Sequence, residues 1–134
     1  LMKKVVSIML CIMVVFSLSA CQGKVNKAKT QEVESSMYSQ EDINQAIETI
    51  KNDFKSGWKG CTLQEIYYAG DDYSESHKDW AARNNADEVI VLLSNFKTGS
   101  FCSQALNKNS TYSRYNWILV RSEGEQWKRV DNGY

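Results

Sequence analysis

The apolar residues divide the chain into three zones. Val5 to Leu18 is almost continuously apolar, broken only by Ser7 and Ser17. Gln22 to roughly Met37 is polar, with Val25 and Val33 as its only larger aliphatics. From Tyr38 onward the apolar positions recur with regular periods. Ile43, Ala46, Ile47, Ile50 and Phe54 follow helical spacing and form one stripe, with Glu48, Lys51, Asp53 and Lys55 mostly off it. Ser39 caps this predicted helix, Asp42 three residues on completes a capping box, and Gly57 is its natural stop.

Beyond Gly60 the period becomes two. Thr62 to Tyr68 alternates, placing Leu63, Glu65 and Tyr67 on one side and Gln64, Ile66 and Tyr68 on the other, which predicts a strand. Gly70-Asp71-Asp72 interrupts it. Ser74 to Asn84 reads as a short polar helix with Trp80 and Ala81 inward. Glu88 to Phe96 contains the unbroken run Val89 to Leu93 and predicts a central strand. Thr98 to Ser113 reads as a long loop, Arg114 to Ser122 as a strand, Glu123-Gly124-Glu125 as a tight turn, and Gln126 to Val130 as the closing strand. One long early helix followed by consecutive strands predicts an α+β domain over 38–134, its N-terminal helix packed on a curved antiparallel sheet of about four strands.

The first zone bears on address. Lys3 and Lys4 precede the apolar run, which is shorter than the roughly 20 residues of a spanning helix. It ends in Leu18-Ser19-Ala20-Cys21. This resembles the signal peptide and lipobox of bacterial lipoproteins, and the resemblance implies cleavage after residue 20 and a diacylglycerol thioether on Cys21. Residues 1–20 are then a discarded leader and 21–37 a lipidated N-terminus and flexible tether. The expected location is the extracytoplasmic face of the cell membrane. Within the domain, Tyr38-Ser39-Gln40-Glu41-Asp42-Ile43, Trp117-Ile118-Leu119-Val120-Arg121, Trp127-Lys128 and Gly133-Tyr134 are similar to small lipoproteins of Gram-positive, gut-type bacteria. The overall layout resembles the cystatin-like or nuclear-transport-factor-2-like architecture. These likenesses imply a fold and carry no reaction.

Composition narrows the function classes. The 134 residues suffice for one domain, and Lys plus Arg equals Asp plus Glu at 16 each. That balance supplies no basic footprint for nucleic acid. Of the four cysteines, Cys11 lies in the leader and Cys21 at the lipid site. Cys61 and Cys102 remain, an even number in an exported domain, and are expected to form a disulfide contributing roughly 3–4 kcal/mol. His77 is the only histidine and no Gly-x-Ser-x-Gly elbow occurs, so no nucleophilic triad is legible. Asp71, Asp72, Glu75, His77 and Asp79 are clustered, but without EF-hand spacing, and suit a turn and a helix start. No cofactor or metal is expected.

Aromatic residues offer the remaining candidate chemistry. Tyr68, Tyr73, Trp80, Tyr112 and Tyr115 are candidates for stacking on sugars or anchoring peptides, against the alternative of ordinary packing. The expected function is a non-enzymatic, membrane-tethered module for a protein, peptide or wall glycan. The alternative is a small cell-surface hydrolase using acidic residues in a cone-shaped cleft.

Overall fold

The computed structural model describes residues 22–134, so the leader and Cys21 lie outside the described residues. The chain is α+β. The long helix α1 (Gln40–Gly57) is followed by strand β1 (Cys61–Tyr68), the short helices α2 (Asp71–Ser76) and α3 (Asp79–Arg83), and strands β2 (Glu88–Thr98), β3 (Thr111–Arg121) and β4 (Lys128–Gly133). The strands form one open antiparallel sheet in the order β1-β2-β3-β4. Among the described residues no helix is long and apolar enough to cross a membrane.

Helix α1 starts as its sequence dictates. The Ser39 hydroxyl accepts from Asp42 N–H at 3.1 Å, and the Asp42 carboxylate accepts from Ser39 N–H at 3.2 Å. Its stripe of Ile43, Ala46, Ile47, Ile50 and Phe54 is fully buried against the sheet. The opposing sheet face supplies Leu63, Ile66, Tyr68, Ile90, Leu92, Phe96, Trp117 and Leu119. The other sheet face is covered by α2 and α3, which bury Val89, Val91, Ile118 and Val120 with Ala81. With both faces covered, β2 has no reason to alternate, which accounts for its unbroken apolar run.

Two strands carry bulges at the same level, on either side of Asn95 of β2. Gln64 is extra on β1 between Leu63 and Glu65, and on β3 Ser113 and Arg114 together oppose Asn95, Arg114 with φ 54°. The Asn95 side chain ties them together: its amide nitrogen donates to Glu65 Oε2 at 3.0 Å and its oxygen accepts from Arg114 N–H at 2.9 Å. An extra residue on β1 reverses the alternation there. Leu63 therefore shares the inner face with Ile66 and Tyr68, which corrects the expected grouping of Leu63 with Tyr67. The bulges also bend the sheet around α1.

The segment expected to be a flexible tether is instead part of the fold from Gly23 on. Lys24 and Lys29 form parallel bridges to Thr62 and Glu65 along the free edge of β1. Lys24 N–H donates to the Cys61 carbonyl at 2.9 Å and Leu63 N–H to the Lys24 carbonyl at 2.8 Å. Val25 is buried and joins the main core. Composition concealed this because edge pairing uses backbone groups, which polar residues supply as well as apolar ones. The expected helix over 74–84 is broken at His77-Lys78 into α2 and α3.

Candidate functional site

The space between α1 and the sheet is filled. Phe54 stacks on Trp58 with centroids 6.0 Å apart, and Trp58 meets the edge of Trp117 at 4.8 Å. Tyr38 lies edge-on to both Tyr68 and Trp127. Trp117 Nε1 donates to the Ser94 hydroxyl at 2.7 Å and the Tyr38 hydroxyl to the Val89 carbonyl at 2.6 Å, whereas Trp58 Nε1 is buried without a partner. Burial pushes the Tyr38 phenol well above its ordinary range, so it stays a neutral donor.

The carboxylates around this interior are taken up by basic or hydroxyl partners. Arg121 takes Glu88 through Nε at 2.6 Å and Asp42 through Nη1 at 3.0 Å, and its guanidinium covers the Trp127 ring at 4.1 Å. The Arg121 hydrogen bond holds the Asp42 carboxyl below its ordinary range. Asp53 pairs with Arg129 at 3.0 Å. Asp71 accepts from the Ser35 hydroxyl at 2.6 Å, the Tyr68 hydroxyl at 2.7 Å, and Ser36 through both N–H and hydroxyl. These bonds, Ser35 foremost, bring its pKa down to about 2. Asp71 is thus a clasp joining the N-terminal segment to the end of β1. Asp79 faces Arg83, and His77 stacks parallel to Tyr73. Among the described residues, no three His, Cys, Asp or Glu side chains gather as a metal site would require.

The five aromatic candidates do not share one site. Tyr68 is buried, and burial pushes its phenol up to about 12. Tyr115 is buried against Phe96 and Trp117, and Tyr112 stacks on Phe96 at 5.2 Å. Tyr73 of α2 and Trp80 of α3 pack on the opposite face of the sheet. Cys61 and Cys102 are brought together, but as free thiols and not as the expected disulfide: their sulfurs are 3.2 Å apart and unbonded. Burial, reinforced by Cys102, raises the Cys61 pKa.

An open depression lies outside the filled interior. Gln40, Asn44, Gln45 and Asn52 on the solvent side of α1 face Gln126 of the β3–β4 hairpin across a shallow groove of about 750 Å³, with Trp127 beneath. The Gln40 amide nitrogen donates to Asn44 Oδ1 at 2.9 Å, so neighbouring amides are mutually oriented. Glu41, Glu48 and Glu125 also line the groove, and no basic residue does. Side-chain amides offer both donors and acceptors, which matches hydroxyl and acetamido groups, while the carboxylates disfavour anions. Sequence reasoning missed this groove because its groups lie on the helix face opposite the apolar stripe. The amides recurring at 40, 44, 45 and 52 were the available signal. Comparison of the chain with protein-family models, with curated proteins and with solved structures found no match.

Proposed function

We propose that the chain is a lipoprotein anchored through Cys21 to the extracytoplasmic face of the membrane, and that its domain is a non-enzymatic module binding uncharged wall glycan. The anchoring rests on Lys3-Lys4, the apolar run Val5 to Leu18, and Leu18-Ser19-Ala20-Cys21. One observation carries the binding reading: the interior is occupied by aromatic packing, and the exposed groove beside it is lined by oriented amides. Asp42, Asp53 and Glu88 are each held by arginine, which favours this reading over the hydrolase alternative. A hydrolase acting through paired carboxylates needs them free and facing one substrate bond.

The test is a calorimetric titration of the purified protein with soluble, uncharged wall-glycan fragments, alongside an anionic wall polymer. Saturable binding of the uncharged glycan alone is expected. Asn44→Ala and Gln126→Ala should each weaken it roughly tenfold, the loss from leaving a ligand group without its partner. No binding, or binding unchanged in both variants, overturns the glycan reading.

A further inference from the structure

The chain is formally neutral, yet its two ends differ in charge. The end where α1 begins and β1 finishes carries Asp71, Asp72 and Glu75 beside Lys78, together with Asp42 and Glu88, which share Arg121. The opposite end is built from the α1–β1 turn, the β2–β3 loop and the first residues of the edge segment. It carries Lys24, Lys55, Lys59, Lys97 and Lys108, all exposed except the half-buried Lys55. No Asp or Glu occurs between Asp53 and Glu65, or between Glu88 and Glu123. Lys24 bridges Thr62, and Thr62 pairs with Lys97, so two of the lysines belong to one row across the sheet. Ser103 N–H donates to the Lys59 carbonyl at 3.1 Å, which folds the β2–β3 loop against the α1–β1 turn.

This basic end also bears exposed aromatics. Phe101 is 62% exposed and Tyr134 is 78% exposed. The Tyr134 hydroxyl donates to the Ser113 carbonyl at 2.9 Å, at the start of β3. The Phe101 backbone is seated on Gly60, whose φ of +82° and lack of a side chain admit the Phe101 carbonyl. The backbone thus holds Phe101 at the tip of this end while its ring remains unburied.

The described chain starts at this end too. Gly23 N–H donates to the Lys55 carbonyl at 3.0 Å, and a side chain at Gly23 would overlap the Phe54 and Trp58 carbonyl oxygens. Cys21 is two residues before Gly23 in the sequence, a chain reach of at most about 7 Å. An anchored Cys21 therefore keeps this end of the domain, Lys24 and Lys55 first, beside the headgroups, where salt screens charges least at short range. Phosphate headgroups complement lysines, and aromatic side chains favour the interface between headgroup and acyl chain.

From this we infer that the basic end of the domain rests on an anionic phospholipid surface, with Phe101 entering the headgroup layer. The inference rests on the lipoprotein reading for its anchor. It fixes the domain's orientation: the amide groove lies along α1 and the β3–β4 hairpin, away from the seated end.

Amide hydrogen exchange on the anchored protein tests this, in phosphatidylcholine vesicles with and without phosphatidylglycerol. With phosphatidylglycerol present, residues 55–62 and 97–110 should exchange more slowly, while 71–83 should be unaffected. High salt should abolish the difference. Lys59→Gln and Lys108→Gln should each lower the seating constant about fivefold, and Phe101→Ser should lower it further. Lys128→Gln, on the strand after the hairpin, should leave it unchanged. Identical exchange in both lipids, or protection insensitive to the lysine changes, overturns the inference. Peptide mass spectrometry of the same sample reports separately whether Cys21 is acylated, so failure of the anchor and failure of the seated surface give different results.

Discussion

The backbone N–H of Gly23 donates to the carbonyl of Lys55 at 3.0 Å, closing the C-terminal end of α1 with the start of the described chain. The bond uses one of the carbonyls a helix end leaves without an internal partner. It removes the slack that the polar composition of residues 22–37 implied.

Gly23→Val tests that closure. The new side chain would meet the Phe54 and Trp58 carbonyl oxygens and the Phe54 ring, so the edge segment must lift away. A loss of about 2 kcal/mol is expected, within the usual range for overpacking. Urea unfolding followed by tryptophan fluorescence measures it, and limited proteolysis should show new cleavage within residues 24–33. Unchanged stability would mean that the segment contributes nothing to the fold.

The Asp71 clasp gives a pH dependence of defined sign. Its pKa falls from an ordinary 3.8 to about 2 on folding, so the ionised form is the one the fold favours. The stabilisation is fully present above pH 3.8 and disappears as pH falls through about 2. Asp71→Asn should lower stability at neutral pH and flatten its acid dependence in that window. Denaturation curves across the acid range check both; an unchanged acid profile would remove Asp71 as its source.

Buried hydrogen bonds should show the asymmetry between making and losing a partner. Ser94→Ala removes the acceptor of Trp117 Nε1, which stays buried. About 1–3 kcal/mol should be lost. Tyr38→Phe removes the hydroxyl that donates to the Val89 carbonyl and keeps the ring packed on Tyr68 and Trp127. It should cost about 1 kcal/mol.

Cys61 and Cys102 are placed for oxidation, with sulfurs 3.2 Å apart. We propose that they form the disulfide when exposed to a disulfide-containing oxidant. The half-buried Cys102 attacks first as thiolate, forming a mixed disulfide and releasing one thiol. Cys61 then displaces the second thiol, so the protein loses two electrons and two protons overall. Mass analysis should show a loss of two hydrogens. The midpoint in urea should rise relative to the reduced form, by up to about 4 kcal/mol of stability. A Cys61→Ser, Cys102→Ser protein should show no such dependence on oxidant.

Much of the architecture is legible in the sequence, for identifiable reasons. Helix α1 follows from one apolar stripe, a capping box and Gly57, all local signals. The continuous run of β2 reveals a strand covered on both sides. The expected bounds of β3 and β4 differ by a few residues, because Thr111 and Tyr112 pair before the bulge at Ser113-Arg114, and β4 pairs from Lys128 through Gly133. Alternation on β1 misled where Gln64 adds a residue, since a bulge is a property of paired strands. The edge pairing of Lys24 and Lys29 is likewise non-local. The candidate site was less legible still. Tyr68, Tyr112 and Tyr115 are absorbed into packing, and the amide groove is formed by two elements far apart in sequence.

The lipoprotein reading and the orientation of the domain both depend on Cys21. Peptide mass spectrometry of the mature N-terminus, on protein extracted from host membranes, tests it directly. The account predicts a chain that begins at Cys21, with a diacylglycerol thioether on its sulfur. A chain that retains the residues before Cys21 and carries an unmodified thiol there would contradict it.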